Sequence, residues 1–132
     1  KFIRQRHFQF HPLVRNLTPF GFFDYNCLQM NSLVVLSDSG TLSEESAMLG
    51  FCGVLIRTST ERPEALGKGC FVLAGIDEKR LLQAVATAVA MNQNGDHGIP
   101  VPDYVEENVS TKVVKLIQSY TGIVNKMVWR KD

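Results

Sequence analysis

The chain has 132 residues, 45% of them hydrophobic, and a formal net charge of +1. That length suits one domain with enough apolar residues to bury a core. The near-neutral charge argues against nucleic acid as the main partner, because nucleic-acid-binding domains usually carry a basic field. No apolar run approaches the roughly 20 residues of a membrane-spanning helix, and no secretory signal is visible, so we expect a cytoplasmic protein with no membrane partner.

Three cysteines, Cys27, Cys52 and Cys70, are widely spaced and odd in number. This pattern argues against both a disulfide framework and a zinc site, and it predicts small buried thiols in a reducing compartment. Because the sequence starts at Lys1 rather than at a methionine, we expect it to be part of a longer chain.

The first regular elements are predicted in the middle of the chain. Ser32–Leu36 is a continuous apolar run, typical of a strand buried on both faces of a parallel sheet. After a turn, Thr41 and Glu44 have the spacing of a capping box, which predicts a helix that continues to Leu49 and stops at Gly50.

Two further strands are predicted at Gly53–Ile56 and Cys70–Ala74, and Asp77 is placed to cap a long helix. The apolar face of that helix would carry Leu81, Val85, Ala88 and Val89. Strands alternating with helices predict right-handed βαβ crossovers, and therefore an α/β fold with an open parallel sheet.

The C-terminal part begins with a loop predicted at Asn94–Asp103, followed by a helix from about Asn108 to Tyr120. One stripe of this helix is apolar: Val109, Val113, Leu116, Ile117 and Tyr120. Beyond Gly122 the tail stays apolar at Ile123, Val124, Met127 and Val128. We consider two roles for residues 108–132: packing on a region outside this sequence, or closing the core of this domain.

Candidate binding residues follow the predicted strands, where open α/β sheets bind ligands. The turn at Asp38–Thr41 opens a helix whose free N–H groups and dipole suit a phosphate, although many such turns contain Ser, Gly and Thr. Glu45 lies one helical turn after Thr41, where a carboxylate can bind ribose hydroxyls or simply be solvated. Glu44 beside it is expected to be solvated and to stabilise the first helical turn.

A second loop follows the second strand, and its Pro63 excludes Arg62 from the α region. Arg62 can then bind a diphosphate, or it can join a surface ion-pair network with Arg57, Glu61 and Glu64. Tyr25 is a candidate for stacking on a base, whereas Phe22 and Phe23 are predicted in the core. The histidines, His7, His11 and His97, have no partner pattern and are expected at the surface.

Two blocks of sequence together resemble the non-hydrolysing UDP-N-acetylglucosamine 2-epimerases. They are SDSGTLSEESAMLG at Ser37–Gly50 and RTSTERPEALGKG at Arg57–Gly69. The DSG turn, the paired glutamates and the TERPE segment occur in the order and spacing of that family, and the resemblance runs from about His11 to the helix ending near Tyr120. It implies the C-terminal part of a two-domain GT-B-type fold, in which each domain is Rossmann-like with an open parallel sheet and flanking helices. It also implies a homodimer at full length, with UDP bound by this domain.

The resemblance also implies the chemistry. These enzymes invert C2 of a UDP-N-acetylhexosamine by eliminating UDP to a glycal and adding it back, with no nicotinamide cofactor and no catalytic metal. Their catalytic groups lie upstream of this sequence, which would therefore hold no catalytic residue and, alone, would bind UDP weakly. The matching UDP-binding positions are Ser39, Gly40 and Thr41 for the diphosphate, Glu45 for the ribose, Arg62 for the phosphates, and Tyr25 and Phe20 for uracil.

Thr41 departs from the family pattern, since most members have a second glycine there. The segments FGFFDYN, RTSTERPE and IVNKMVWRK are similar to the branch acting in capsule or O-antigen synthesis, for example in forming UDP-N-acetyl-L-fucosamine. Two other classes stay open: a glycosyltransferase of the same fold that uses a UDP-sugar, and a non-catalytic UDP-binding module.

Overall fold

A computed structural model describes residues 9–131, so Lys1 and His7 lie outside the described residues. Its centre is a parallel sheet of three strands in the order β1-β2-β3, with β1 at Val35–Ser37, β2 at Gly53–Leu55 and β3 at Phe71–Leu73. Val35 pairs with Gly53, and Gly53 pairs with Phe71. The open parallel sheet is confirmed, although each strand is shorter than predicted and β1 begins three residues later.

Residues 9–131 also contain five α-helices and one short 3-10 helix. They are α1 at Phe22–Met30, α2 at Thr41–Leu49, α3 at Pro63–Gly67, α4 at Glu78–Gln93, the 3-10 helix at Pro102–Tyr104, and α5 at Val109–Met127. Each of the crossovers β1–α2–β2 and β2–α3–β3 returns the chain to a neighbouring parallel strand. This is the open α/β arrangement predicted from the alternation of elements, and it agrees with the Rossmann-like fold that the resemblance implies.

The core has two parts, one on each face of the sheet. Successive side chains of a strand point to opposite faces, so Leu55 packs on the α2 side, with Leu42 and Phe51, while Val54 packs on the α4 side. Both β2 side chains are 0% exposed. On the α4 side, Leu81, Val85 and Ala88 pack as predicted, together with Ala84; Val89 is half-buried.

Gly53 lets α2 lie close to the sheet. A Cβ at this position would be 3.3 Å from the Ser46 Cβ, 3.5 Å from the Phe71 Cβ and 3.6 Å from the Leu42 Cγ. The first of these distances is tighter than most real contacts of a Cβ. The missing side chain therefore sets how closely helix and strand approach.

The predicted helix ends are correct at two places. Gly50 ends α2 with φ 70°, and the Asp77 carboxylate caps α4 by accepting from the Arg80 backbone N–H at 3.1 Å. The predicted capping box is wrong. Thr41 is the first helical residue rather than the cap, so its hydroxyl bonds the Ser39 hydroxyl at 2.8 Å.

Helix α5 is longer than predicted, because it continues through Gly122 to Met127. A glycine inside a helix costs about 1 kcal/mol relative to alanine. Apolar residues with helical spacing nevertheless continue after Gly122, and the helix continues with them. No side chain of α5 is buried against the rest of residues 9–131. The predicted stripe is solvent-facing along its whole length: Val109, Val113, Leu116, Ile117 and Tyr120.

The predicted loop at Asn94–Asp103 is confirmed up to the 3-10 helix, and Gly98 anchors it to the start of β3. The Ile99 N–H donates to the Lys68 carbonyl at 2.9 Å. Gly98 has φ +76°, and a Cβ there would lie 2.7 Å from the Lys68 carbonyl oxygen and 2.7 Å from the Gly69 carbonyl carbon. Only glycine fits this contact between two stretches of backbone.

We predict that Gly98→Ala destabilises the protein more than Gly95→Ala, by about 1–3 kcal/mol, the usual cost of overpacking. Gly95 is a matched control because it also has a positive φ, of +81°, but no atom lies within 4 Å of its Cβ position. Both variants share the backbone strain, and only Gly98→Ala adds the clash. Urea unfolding of the two variants measures the difference; equal free energies of unfolding would contradict the proposed contact.

Candidate functional site

The candidate site lies where β1 runs into α2. The Ser39 carbonyl accepts from the Leu42 N–H at 3.2 Å, and the Gly40 carbonyl accepts from the Ser43 N–H at 3.1 Å. Among the described residues, nothing accepts a hydrogen bond from the backbone N–H groups of Gly40 and Thr41. Free N–H groups at the start of a nine-residue helix attract anions.

The loop after β2 reaches over this turn. Arg57 binds Glu61 through two hydrogen bonds of 2.8 Å each. A Cβ on Gly40 would lie 3.8 Å from the Arg57 Nη1 and 3.7 Å from the Glu61 Oε2, so the ion pair lies directly beside Gly40. The two loops predicted to share one edge of the sheet are in contact.

Arg62 lies at the start of α3 with φ −122° and ψ 59°, outside the α region as predicted. Its Nε donates to the Glu44 Oε1 at 2.5 Å, and this bond raises the pKa of the guanidinium. The prediction that Glu44 is merely solvated is therefore wrong, because a residue 18 positions away in sequence provides its partner. Of the predicted ion-pair network, Arg57–Glu61 forms, whereas Arg62 pairs with Glu44 instead.

Glu45 faces a different neighbour. Its carboxylate accepts a hydrogen bond of 2.7 Å from the side-chain amide of Gln29 on α1. Burial raises the pKa of the nearby Tyr25, and the negative charge of Glu45 raises it further. Gln29 is 3% exposed, and it was not predicted from the sequence as a site residue. Its position four residues after Tyr25 puts both side chains on the same helix face, and this spacing could have indicated its role.

An apolar pocket of about 290 Å³ lies between α1 and β1. Phe20 and Tyr25 both line it, together with Leu28, Gln29, Ser32, Val34, Val35 and Leu36. The two aromatic residues proposed from the resemblance are therefore brought together. Through Gln29, the pocket lies beside Glu45.

Phe22 and Phe23 are not core residues, contrary to the prediction. They are 74% and 85% exposed, and their rings make an edge-to-face contact with centroids 5.6 Å apart. Gln29 is the buried residue of α1, and Phe23 lies on a different face of the helix. Phe22 lies two turns before Gln29, at the first residue of the helix, where its ring stays exposed.

The remaining polar candidates form no further site. His11 and His97 are exposed, as predicted. Cys52 and Cys70 are buried, which raises the pKa of both thiols, but Cys27 is exposed, contrary to the prediction, because it lies on an outer face of α1. Within residues 9–131, no three His, Cys, Asp or Glu side chains group as metal ligands would.

Tyr104 is a second residue that sequence reasoning missed. Its hydroxyl donates to the Glu64 carboxylate at 2.6 Å, and this bond lowers the pKa of Glu64. Tyr104 belongs to the 3-10 helix, 40 residues from Glu64 in the chain. No local pattern indicates so distant a contact.

The sequence was compared with the profiles of known protein families. Residues 2–118 match the sequence profile of the family described as UDP-N-acetylglucosamine 2-epimerase. The chain belongs to this family.

Individual members agree with that assignment. The UDP-N-acetylglucosamine 2-epimerase from Rickettsia bellii has a solved structure that matches with a TM-score of 0.76 and 40% identity, covering 89% of this chain and 32% of that one. A putative UDP-N-acetylglucosamine 2-epimerase from Thermotoga maritima is 30% identical over 81% of this chain and 29% of its own. The epimerase from Methanococcus maripaludis is 33% identical over 62% of this chain and 22% of its own.

These epimerases are therefore much longer than the sequence described here, which spans between about a fifth and a third of their length. The open parallel sheet with helices on both faces agrees with the GT-B-type fold expected for the epimerase family. No helix within residues 9–131 is both long and apolar enough to cross a membrane.

Proposed function

We propose that this chain supplies the UDP-binding part of an isomerase that inverts C2 of a UDP-N-acetylhexosamine. One observation carries the proposal: the start of α2 combines free backbone N–H groups with contacts to a second loop and to the α1 pocket. Free backbone N–H groups lie at Gly40 and Thr41, Glu44 holds Arg62 on one side, and Glu45 reaches the Tyr25 pocket on the other.

In this proposal, the two phosphates of UDP bind at the start of α2. They accept hydrogen bonds from the N–H groups of Gly40 and Thr41 and from the Ser39 hydroxyl, with Arg62 adding a positive charge. The Ser39 and Thr41 hydroxyls bond each other at 2.8 Å, so one of them retains a proton to donate.

The nucleoside would extend toward α1. Glu45 would exchange its bond from Gln29 for hydrogen bonds from the ribose hydroxyls, or share the carboxylate between both. Uracil would enter the pocket lined by Tyr25 and Phe20, which are 40% and 45% exposed and so available for stacking.

The proposed reaction removes the proton at C2 and expels UDP from C1, which gives a glycal. UDP then adds back to C1 while a proton returns to the opposite face of C2. The role of this domain is to hold the departing UDP, and we assign no proton-transfer residue to it. We further propose that the full-length enzyme is a cytoplasmic homodimer acting in surface polysaccharide synthesis, in keeping with the similarity to the capsule branch.

We also propose that α5, with the tail to residue 132, packs on the upstream domain of the full-length enzyme. The helix carries a continuous exposed apolar stripe, and its Tyr120 and Leu116 are 57% and 58% exposed. Solvent-exposed stripes of this length are typical of surfaces that another structural unit covers. The longer relatives provide such a unit, since this chain spans only part of their length.

The activity test uses the full-length protein and a UDP-N-acetylhexosamine. We expect a C2 epimer, with a glycal and free UDP as trapped intermediates, detected by NMR. Transfer of the sugar only to an added acceptor would favour the glycosyltransferase alternative. Binding of UDP without any turnover would favour the non-catalytic module.

The site test compares Glu45→Gln and Arg62→Ala in the full-length protein. Each removes a charged hydrogen-bonding group, so we expect UDP affinity to fall roughly tenfold to a hundredfold, as for bonds to charged groups generally. Glu78→Gln and Arg80→Ala are the matched controls, because both residues are exposed on α4. Calorimetry showing unchanged affinity in both site variants would remove this assignment.

The docking test places a charge in the stripe of α5. Ile117→Asp should destabilise the full-length protein by about 1–3 kcal/mol, because it buries an unpaired charge or breaks the contact. Lys115→Asp, at an exposed position on the same helix, is the control. Equal unfolding free energies for the two variants would contradict the proposed packing.

A further inference from the structure

The guanidinium of Arg62 is held along one edge only. Its Nε donates to Glu44 at 2.5 Å, while its Nη1 has a single long contact of 3.5 Å to the Glu61 carbonyl. Among the described residues, nothing binds Nη2. Nη1 and Nη2 form the outer fork of the guanidinium, which suits phosphate oxygens, and this fork is therefore available to a ligand.

The other carboxylates near Arg62 already have partners. Glu61 binds Arg57 through two bonds of 2.8 Å, and Glu64 accepts from the Tyr104 hydroxyl at 2.6 Å. Neither needs Arg62 to satisfy its charge. Glu44 is the carboxylate that fixes where this guanidinium lies.

Glu44 is also placed to aim Arg62 at the anion site. It lies four residues after Gly40, and residues at that spacing stack on one helix face. The pair is partly shielded from water, with side-chain exposures of 35% for Arg62 and 32% for Glu44. The bond therefore ties a long, flexible side chain to the same helical turn that presents the free N–H groups.

We propose that Glu44 is a positioning residue, which holds Arg62 by its Nε so that its Nη groups face a diphosphate bound at Gly40 and Thr41. This inference rests on the proposed function. Two effects of Glu44 oppose each other: it orders Arg62 before the ligand arrives, which lowers the entropic cost of binding, and its charge repels the diphosphate. The geometry favours ordering, because the carboxylate occupies the Nε and leaves the outer fork open.

The test measures UDP and uridine binding by calorimetry in full-length Glu44→Ala, Glu44→Gln, Arg62→Ala and the double variant Glu44→Ala/Arg62→Ala. We expect Glu44→Ala to lose about tenfold in UDP affinity, equivalent to about 1.4 kcal/mol, with uridine affinity unchanged. Glu44→Gln keeps an acceptor oxygen and should recover most of the loss. In the Arg62→Ala background, Glu44→Ala should cause no further loss. Glu78→Ala is the control for removing an exposed glutamate from a first helical turn.

Three results would overturn the inference: unchanged or tighter UDP binding in Glu44→Ala, equal losses for UDP and uridine, or additive losses in the double variant. Equal losses for UDP and uridine would indicate a general structural role of Glu44. Tighter UDP binding would show that the charge of Glu44 repels the diphosphate more than its ordering of Arg62 helps. If Glu44→Ala fails to fold, Glu44→Gln decides, since UDP binding as weak as in Arg62→Ala would contradict positioning through a hydrogen bond. Absence of UDP binding by the unaltered protein would instead reject the proposed function, and this inference with it.

Discussion

The complete burial of β2 is the constraint on which the rest of the structure depends. Val54 and Leu55 point to opposite faces, and neither is exposed, so helices must cover the sheet on both sides. Because β1 and β2 are parallel neighbours, the loops that follow these two strands lie at the same edge of the sheet. The contact of Arg57 and Glu61 with Gly40 follows from this arrangement.

Two adjacent glutamates divide the candidate site. Successive helical residues point about 100° apart, so Glu44 and Glu45 face different neighbours of α2. Glu44 meets the loop after β2 through Arg62, and Glu45 meets α1 through Gln29. One helical turn therefore connects the charged part of the site to the aromatic pocket.

The sequence predicted the features that depend on local chemistry. The glycine end of α2, the cap at Asp77 and the conformation of Arg62 before a proline follow from backbone preferences, and all three are present. The resemblance supplied the candidate residues. The fold places some of them around the start of α2, and it places Phe20 and Tyr25 in a pocket that Gln29 links to Glu45. Contacts between distant residues were predicted wrongly or missed, because the partner of Glu44 lies 18 residues away and that of Tyr104 lies 40 residues away.

Gly53 lies in the interior, yet its missing side chain bears on the surface chemistry. Ser46 and Leu42 of α2 lie within van der Waals reach of its absent Cβ. A Cβ at position 53 would require a neighbour such as Ser46 to move by a few tenths of an ångström, and Ser46 belongs to the helix that carries both glutamates. The distance between the sheet and the candidate anion-binding turn thus depends on an interior residue that is not part of the candidate site.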